Sequence, residues 1–394
     1  MKKTLVILVA LAALVAFTAP TWAGEEPGPS FTVGGRMLTD IGYHRNSKEL
    51  TNNKKEDVTS AFVNLGNTSY LRATFTSVDK STGGMVELSL KSMINNQESV
   101  GLRFAYGWWK VGNCKLYAGQ TDNWLGNTAF APKQYLGQTE ANKNTLTNWG
   151  YIYGGRNPQA GFQWESGMFG LQLAVVQPGA EKVPTVASGQ DLYANVPRFD
   201  LAAKFTAGGF LTQPAFGWSQ LKSEGVTGGG DDTFTSWIVI LPVKFAMGPF
   251  TAKAEVHYGQ NNDAEWSGGR LAALGSLPQS MPYIKTNGKI EDTKQTGGFI
   301  SLEYKILPVW EIAAGFGIDK LNNDAWKQAT SKGGAGWKND DYTRTAYFVA
   351  LPYQVTKNFK IHPEFAYYNY GDNVKDGKDF GTEWVGGLQF QFVF

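Results

Sequence analysis

Apolar and polar residues alternate along most of the chain from Phe31 onward. The clearest segment covers residues 236–245, where Trp237, Val239, Leu241, Val243 and Phe245 occupy every second position. A period of two is typical of a β-strand whose two faces meet different surroundings. No window keeps a comparable period of 3.6 residues, so the pattern predicts an all-β chain.

Sixteen such segments can be counted, centred near residues 37, 71, 89, 105, 117, 161, 173, 201, 215, 240, 255, 301, 314, 347, 365 and 388. Short connections, such as 111–113 and 247–249, alternate with longer polar ones, such as 121–155 and 260–295. Membrane barrels have this layout, with short periplasmic turns and longer extracellular loops. The chain is therefore predicted to form a transmembrane antiparallel β-barrel of about sixteen strands. Fourteen and eighteen strands are the alternatives, because residues 149–155 are ambiguous.

Charged and aromatic residues indicate which face of each strand meets lipid. Nine basic and nine acidic residues of the strands alternate with the apolar residues and therefore lie on the opposite face. In a closed barrel, which leaves no backbone edge unpaired in hydrocarbon, the apolar face meets lipid and the charged face lines the lumen. Aromatic pairs such as Phe245/Phe250 and Tyr304/Trp310 bracket five consecutive short turns. Rings at such positions are typical of an interfacial girdle.

The N-terminus has the features of an export signal. Lys2 and Lys3 precede an apolar stretch, residues 4–17, that is too short to span a bilayer. The sequence Thr21-Trp22-Ala23 provides a cleavage site before Gly24. Residues 1–23 are thus predicted to be a signal peptide and residues 24–394 a single barrel domain. Cleavage leaves 34 residues of each charge sign.

Composition excludes several other classes of protein. Lys and Arg total 36 against 34 Asp and Glu, so the chain lacks the basic excess of a nucleic-acid-binding protein. With 14% aromatic and 18% charged residues, it is not a disordered chain. Cys114 is the single cysteine, which excludes a disulfide framework and a multi-thiolate metal site. With only three histidines as well, we expect no cofactor, no metal site and no enzymatic activity.

Two segments resemble the Gram-negative general porins of the outer membrane. Phe390, Phe392 and Phe394 form a terminal aromatic pattern, and residues 114–120 end in a Gly-x-Gln sequence like that of the porin strand before the third loop. The resemblance implies a water-filled channel for passive diffusion of small hydrophilic solutes and ions, with residues 121–150 folded into the lumen. It also implies a homotrimer in contact with outer-membrane lipid and lipopolysaccharide. The alternatives are a substrate-specific or gated transporter, with residues 260–295 as a lid, and a scaffold barrel for a partner protein.

The same resemblance points to a pore constriction. The family sets arginines of the early strands against carboxylates of the third loop. The matching positions here are Arg36, Arg72 and Arg103 on the wall, Asp122 and Glu140 on the loop, and Lys133 and Lys143 modifying the loop's field. Opposed charges create a field across the pore, and the lumen charges balance overall. The excess of arginine over carboxylate predicts weak selectivity with a modest bias towards anions.

Overall fold

A computed structural model describes residues 28–51, 56–66, 68–92, 98–136, 146–179, 191–194, 196–224, 232–266, 278–284, 290–324, 326 and 338–394. These residues form sixteen membrane-crossing strands. The strands are β1 (Ser30–Asn46), β2 (Val58–Leu65 and Tyr70–Thr76), β3 (Thr82–Ser92), β4 (Glu98–Val111), β5 (Cys114–Thr121), β6 (Asn157–Ser166), β7 (Phe169–Val176), β8 (Asp191–Ala194 and Arg198–Ala207), β9 (Phe210–Thr212 and Ala215–Glu224), β10 (Asp232–Met247), β11 (Phe250–Gln260), β12 (Lys294–Lys305), β13 (Glu311–Asn322), β14 (Asp341–Ala350 and Tyr353–Thr356), β15 (Phe359–Asn369) and β16 (Thr382–Val393).

The strands form one closed antiparallel barrel. Each strand pairs with the next, and β16 returns to pair with β1 over eleven register positions, from Arg36↔Val393 to Asn46↔Glu383. Two further backbone hydrogen bonds join Phe394 to Gly35, so the last residue takes part in the closure. Closure satisfies the backbone donors and acceptors that would otherwise be unpaired in lipid. The prediction of a sixteen-stranded barrel is confirmed.

The ambiguous stretch near residue 150 adds no strand. Within the described residues 146–156, the only pairing is an isolated bridge between Thr147 and Tyr151. Short 3₁₀ turns occur at Thr128–Phe130 and Asn262–Ala264, and a small hairpin pairs Tyr283–Ile284 with Ile290–Glu291. No described helix has the length and hydropathy needed to cross a membrane.

The two faces of the strands differ as the alternation predicts. On β10, Val239 and Leu241 are 47% and 45% exposed on the outer surface. Ser236, Ile238 and Ile240 alternate with them and are fully buried inside the barrel. Outward apolar side chains suit a hydrocarbon environment, so the exposed surface is the lipid-facing one. Buried isoleucines on the inner face show that something apolar covers this part of the lumen wall.

A bulge in β4 changes which residues face the lumen. The register with β3 shifts between Glu87 and Leu88, where Glu87 pairs with Phe104 but Leu88 pairs with Leu102. Arg103 is the extra residue, and both Arg103 and Phe104 lie on the inner face. Beyond a bulge, each residue of the strand faces the side of the sheet opposite to the one that strict alternation predicts. Strict alternation from Arg103 would have turned Phe104 outward.

Aromatic rings follow the periplasmic edge of the barrel. Phe205 lies 5.3 Å from Phe169 and 6.2 Å from Phe210, measured between ring centroids. Further round the barrel, Trp310 stacks on Tyr353, with ring centroids 4.5 Å apart. These rings flank the short connections, at the level where amphipathic side chains meet lipid headgroups.

Candidate functional site

The third outer connection, residues 122–156, is called loop 3 below, and the parts of it that the structure describes run inside the barrel. Its described parts are residues 122–136 and 146–156. Backbone amides of this loop donate to carboxylates on the inner wall: Ile152 to Glu255 Oε1 at 2.8 Å, Gly150 to Asp319 Oδ2 at 3.1 Å, and Tyr135 to Glu364. These carboxylates belong to β11, β13 and β15. Loop 3 therefore lies against the second half of the barrel wall.

Two lysines strengthen this attachment. Lys133 of loop 3 lies 2.5 Å from Glu311 and 3.1 Å from Glu303. Lys253 of β11 lies 2.7 Å from the same Glu303 and donates to the carbonyl of Ala131 at 2.9 Å. Burial alone would lower the pKa of Lys133, but the two glutamates raise it above its ordinary value. Lys133 is thus a charged attachment point between the loop and β12–β13.

Apolar side chains fill the space between loop 3 and the wall. Trp149 is fully buried, with its ring 5.0 Å from that of Tyr368 and 5.6 Å from that of Tyr370. A second cluster joins residues of loop 3 and of the sixth outer connection to the inner face of β8–β10: Trp124, Leu125, Ile152, Ala202, Ala215, Ile238, Ile240 and Trp266. The inward isoleucines of β10 are therefore explained by the loop that covers them.

Glycine permits the closest approach of loop and wall. A Cβ on Gly317 of β13 would collide with the carbonyl oxygen of Trp149. Likewise, a Cβ on Gly150 of loop 3 would collide with the carbonyl oxygen of Gly298 on β12. Gly150 also has a φ of +97°, which only glycine adopts without strain. The loop backbone rests directly on the sheet at these positions.

Arginines gather on the inner face of β1, β2 and β4. The guanidinium carbons of Arg36, Arg72 and Arg103 lie 5.2, 4.8 and 5.7 Å from the centre of the Tyr70 ring. Glu87 on β3 is fully buried between two of them, accepting from Arg72 Nε at 2.7 Å and from Arg103 Nε at 2.5 Å. Strand pairing explains the grouping, because Arg72 is opposite Glu87 in register.

A fourth arginine at the end of loop 3 joins this group. Arg156 Nε lies 3.7 Å from Asp122, and the guanidinium lies over the rings of Phe104 at 5.1 Å and Tyr153 at 5.5 Å. Asp122 also accepts a hydrogen bond from the Tyr153 hydroxyl at 3.1 Å. Burial raises the pKa of the Asp122 carboxyl, against the opposing effects of Arg156 and Tyr153. Four arginines thus adjoin two carboxylates; we call this set the arginine cluster.

The structure places the residues proposed for the constriction in different parts of the lumen. Arg36, Arg72 and Arg103 lie together, and Asp122 adjoins them through Arg156. Lys133 does not join them, since it is paired with Glu303 and Glu311 on the opposite wall. Glu140 and Lys143 lie outside the described residues.

Sequence reasoning missed Arg156 and the part played by Glu87. Arg156 belongs to a loop, where no periodicity fixes the direction of a side chain. Its position directly before β6 was the available signal, because a residue next to a strand that follows an inward loop must lie near the lumen. Glu87 carried the lumen parity, but its two arginine partners depend on the register of β2, β3 and β4.

The histidines lie at packed positions. His257 Nε2 is 3.0 Å from Asp319, and His362 stacks on Tyr135 of loop 3 with ring centres 3.9 Å apart. Near the outer end of β1, His44 Nε2 is 2.9 Å from Ser60 Oγ, and its Nδ1 is 3.7 Å from Glu383. In the described part of the chain, no group of three or more His, Cys, Asp or Glu side chains is arranged to hold a metal ion.

Comparison with known proteins agrees with this architecture. A family model described as Gram-negative porin matches residues 10–373. No curated protein matches the chain significantly at the level of sequence.

Three solved structures illustrate the structural similarity. The outer-membrane channel DcaP of Acinetobacter baumannii has a TM-score of 0.70 and 18% identity, covering 95% of this chain and 100% of its own. An anion-selective porin from Comamonas acidovorans has a TM-score of 0.58 and 11% identity, covering 92% and 100%. OmpT of Vibrio cholerae, in a trimer form, has a TM-score of 0.57 and 12% identity, covering 93% and 100%. At these identities the likeness shows the fold.

Proposed function

Because the chain belongs to the Gram-negative porin family and is an outer-membrane channel, we propose that small anions pass through it more readily than cations. The observation that carries this proposal is the arginine cluster, in which Arg36, Arg72, Arg103 and Arg156 outnumber Glu87 and Asp122. Solutes cross by passive diffusion, because a water-filled barrel narrowed by an inner loop requires no energy source.

The size of the preference follows from screening. At physiological salt the Debye length is about 8 Å, so a fixed charge acts only on ions that pass close to it. The cluster lies on the inner face of the early strands and at the end of loop 3, and its excess of two positive charges acts on ions that pass there. We therefore expect a modest preference, which an increase in ionic strength reduces. One structurally similar protein is described as anion-selective, in accord with this expectation.

Reversal potentials in a salt gradient test the proposal. The purified protein is inserted into planar bilayers with a tenfold gradient of KCl, and the sign of the potential gives the preferred ion. Replacing Arg72 or Arg156 by Gln should lower the chloride-to-potassium permeability ratio. Arg45→Gln is the matched control, because Arg45 is exposed at the outer end of β1 and pairs with Asp57 at 2.8 Å. A preference for potassium in the wild type would contradict the proposal, as would equal shifts in all three variants.

A homotrimer is the second part of the proposal. The outward positions of β1 to β5 carry few aromatic residues and many small or aliphatic ones, such as Val63, Val86 and Ala118, and one similar structure is a trimer form. Small side chains let neighbouring walls approach closely, while lipid and lipopolysaccharide cover the remaining perimeter. Detergent-resistant oligomers in electrophoresis without heating, which convert to a single monomer band on boiling, are the expected result. A monomer under all mild conditions would contradict it.

The family and the fold are those of channels, and we further propose that the chain has no catalytic role. The arrangement of Ser60, His44 and Glu383 resembles a nucleophile with its base, but the Glu383 distance of 3.7 Å exceeds a hydrogen bond. Glu383 instead accepts from the Tyr370 hydroxyl at 2.7 Å. Ser60 should therefore resist labelling by a fluorophosphonate probe. Labelling that disappears in Ser60→Ala would contradict this view.

Export by an N-terminal signal peptide completes the proposal. Residues 1–23 carry the expected charge and hydropathy pattern. The intact mass of the protein extracted from outer membranes should correspond to a chain that begins at Gly24. A protein that retains residues 1–23 would contradict the assignment.

A further inference from the structure

A row of aromatic rings lines the lumen below the arginine cluster. Phe104, Tyr106 and Trp108 occupy successive inner positions of β4, with ring centroids 6.3 and 5.5 Å apart. Tyr117 of β5 is opposite Trp108 in register, but it is buried and does not face the passage. Trp109, between Trp108 and the turn, faces lipid and is 51% exposed. We call the three half-buried rings of Phe104, Tyr106 and Trp108 the aromatic stripe; it leads from the cluster towards the periplasmic end.

Glycines let the larger rings lie along the wall. A Cβ on Gly83 of β3 would collide with the six-membered ring of Trp108, and one on Gly161 of β6 would collide with the ring of Tyr117. Each glycine is the direct cross-strand neighbour of the ring that covers it. Both rings therefore lie flat over the sheet. Trp108 remains half-buried, so part of its ring still faces the lumen.

Positive charges lie at the upper end of the stripe and beside its lower half. At the upper end, Arg156 lies over Phe104 at 5.1 Å and belongs to the arginine cluster. In the lower half, the ammonium of Lys115 lies beside Tyr106 and Trp108, 5.9 Å from each ring centre, and 5.5 Å from that of Tyr117. A cation at this distance from a ring is itself attracted to the π face. A carboxylate leaving the cluster thus has a second cation to move towards.

The chemistry of the stripe selects one class of solute. Simple inorganic anions need only the arginines, whereas a row of flat rings stabilises a solute that itself has a flat aromatic face. We propose that the aromatic stripe binds aromatic monocarboxylates transiently as they pass between the constriction and the periplasm. This inference rests on the proposed anion preference, and it adds a selection by ring type that charge alone does not provide.

Interruption of the chloride current tests this proposal. Benzoate and cyclohexanecarboxylate carry the same charge on a six-membered ring, but only benzoate has a π face. Each is added to one side of a bilayer that contains the wild-type channel, and the concentration that halves the chloride current is measured. We expect benzoate to act at a concentration about threefold to tenfold below that of cyclohexanecarboxylate. Equal concentrations would overturn the proposal.

Variants locate the effect on the stripe. Trp108→Leu should remove most of the difference between the two acids, while Trp108→Phe, which keeps a ring, should retain it. Trp109→Leu is the matched control, because it removes the neighbouring indole on the lipid side. An equal loss in Trp108→Leu and Trp109→Leu would overturn the assignment. Heat-modifiable mobility in electrophoresis identifies the folded variants, and Trp108→Phe still tests the proposal if Trp108→Leu does not fold.

The KCl reversal potential keeps the two proposals separate. Trp108→Leu changes no charge, so the preference for chloride should be unaltered in that variant. A channel that prefers chloride but does not distinguish the two acids refutes the stripe and leaves the anion preference intact. A channel that prefers potassium refutes both, because the carboxylates would then have no electrostatic reason to enter the passage.

Discussion

Glu87 offers the sharpest perturbation of the arginine cluster. It is a fully buried carboxylate that accepts from Arg72 and Arg103, so it cancels part of the charge of the cluster. Glu87→Gln keeps the shape and one acceptor oxygen but removes a negative charge. Since the cluster then holds four arginines against the single carboxylate of Asp122, we expect the preference for chloride to increase.

The magnitude can be worked out from Coulomb's law. A unit charge about 8 Å from an ion contributes about 0.5 kcal/mol at the dielectric constant of water and about 2 kcal/mol at an effective value of about 20. Screening over one Debye length reduces these energies to about 0.2 and 0.8 kcal/mol. Chloride gains this energy and potassium loses it. The two energies add in the permeability ratio, which should therefore rise by about twofold to about fifteenfold.

Glu383→Gln is the matched control for this change. It removes the same charge from a buried lumen carboxylate, one that accepts from Tyr370 near the outer end of β16. Glu383 is opposite Asn46 on β1, ten residues beyond Arg36, which corresponds to about 33 Å along the strand. That distance is about four Debye lengths, so the effect on ions at the cluster should be negligible.

Reversal potentials in a KCl gradient measure both variants, with heat-modifiable mobility as the check that each has folded. An unchanged permeability ratio in Glu87→Gln would show that the cluster does not control the passage. A shift of equal size in Glu383→Gln would show that overall lumen charge, rather than the position of the cluster, determines selectivity.

Three further outcomes follow from the structure. Val239→Arg places a charge on the lipid face and should destabilise the barrel by about 2–4 kcal/mol in urea unfolding, whereas Thr74→Arg on the lumen face should cost far less. Glu255→Ala leaves the Ile152 amide without its acceptor. The attachment of loop 3 to the wall should weaken by about 1–3 kcal/mol, and the open-channel current noise should increase. Glu255→Gln keeps an acceptor and should resemble the wild type. Burial raises the pKa of the Asp122 carboxyl, so this carboxylate is neutralised at a higher pH than an exposed aspartate; the preference for chloride should increase as the pH is lowered, and this increase should be smaller in Asp122→Asn.

The strands were predictable because a barrel imposes one rule on every residue within them. Side chains that face lipid must be apolar, so Val239 and Leu241 on β10 reveal the period, and connection lengths reveal the direction. The same parity rule placed Arg36 and Arg72 in the lumen. Their grouping around Tyr70 follows from strand register, which the resemblance to porins supplied and periodicity alone did not.

The remainder depends on contacts that no local pattern encodes. Lys133 lies on loop 3, and the path of that loop determines which residues Lys133 pairs with. Carboxylates of the wall fix this path, and they lie more than a hundred residues away in sequence. The bulge at Arg103 is equally hidden, because an extra residue within a strand leaves the composition of that strand unchanged. Its consequence is large: it turns Phe104 and the two aromatic residues after it towards the lumen.

A chain with nearly balanced charge can still have an unbalanced passage, because loop 3 separates the two signs in space. The strand positions assigned to the lumen from the sequence include nine acidic and nine basic residues. Several of the acids, namely Glu255, Asp319 and Glu364, lie beneath loop 3 and accept its backbone amides. These carboxyl groups hold the loop and are buried beneath it, away from passing solutes. The arginine cluster lies elsewhere, on the inner face of β1, β2 and β4 and at the end of loop 3, so we expect solutes in the remaining passage to meet mainly positive charge.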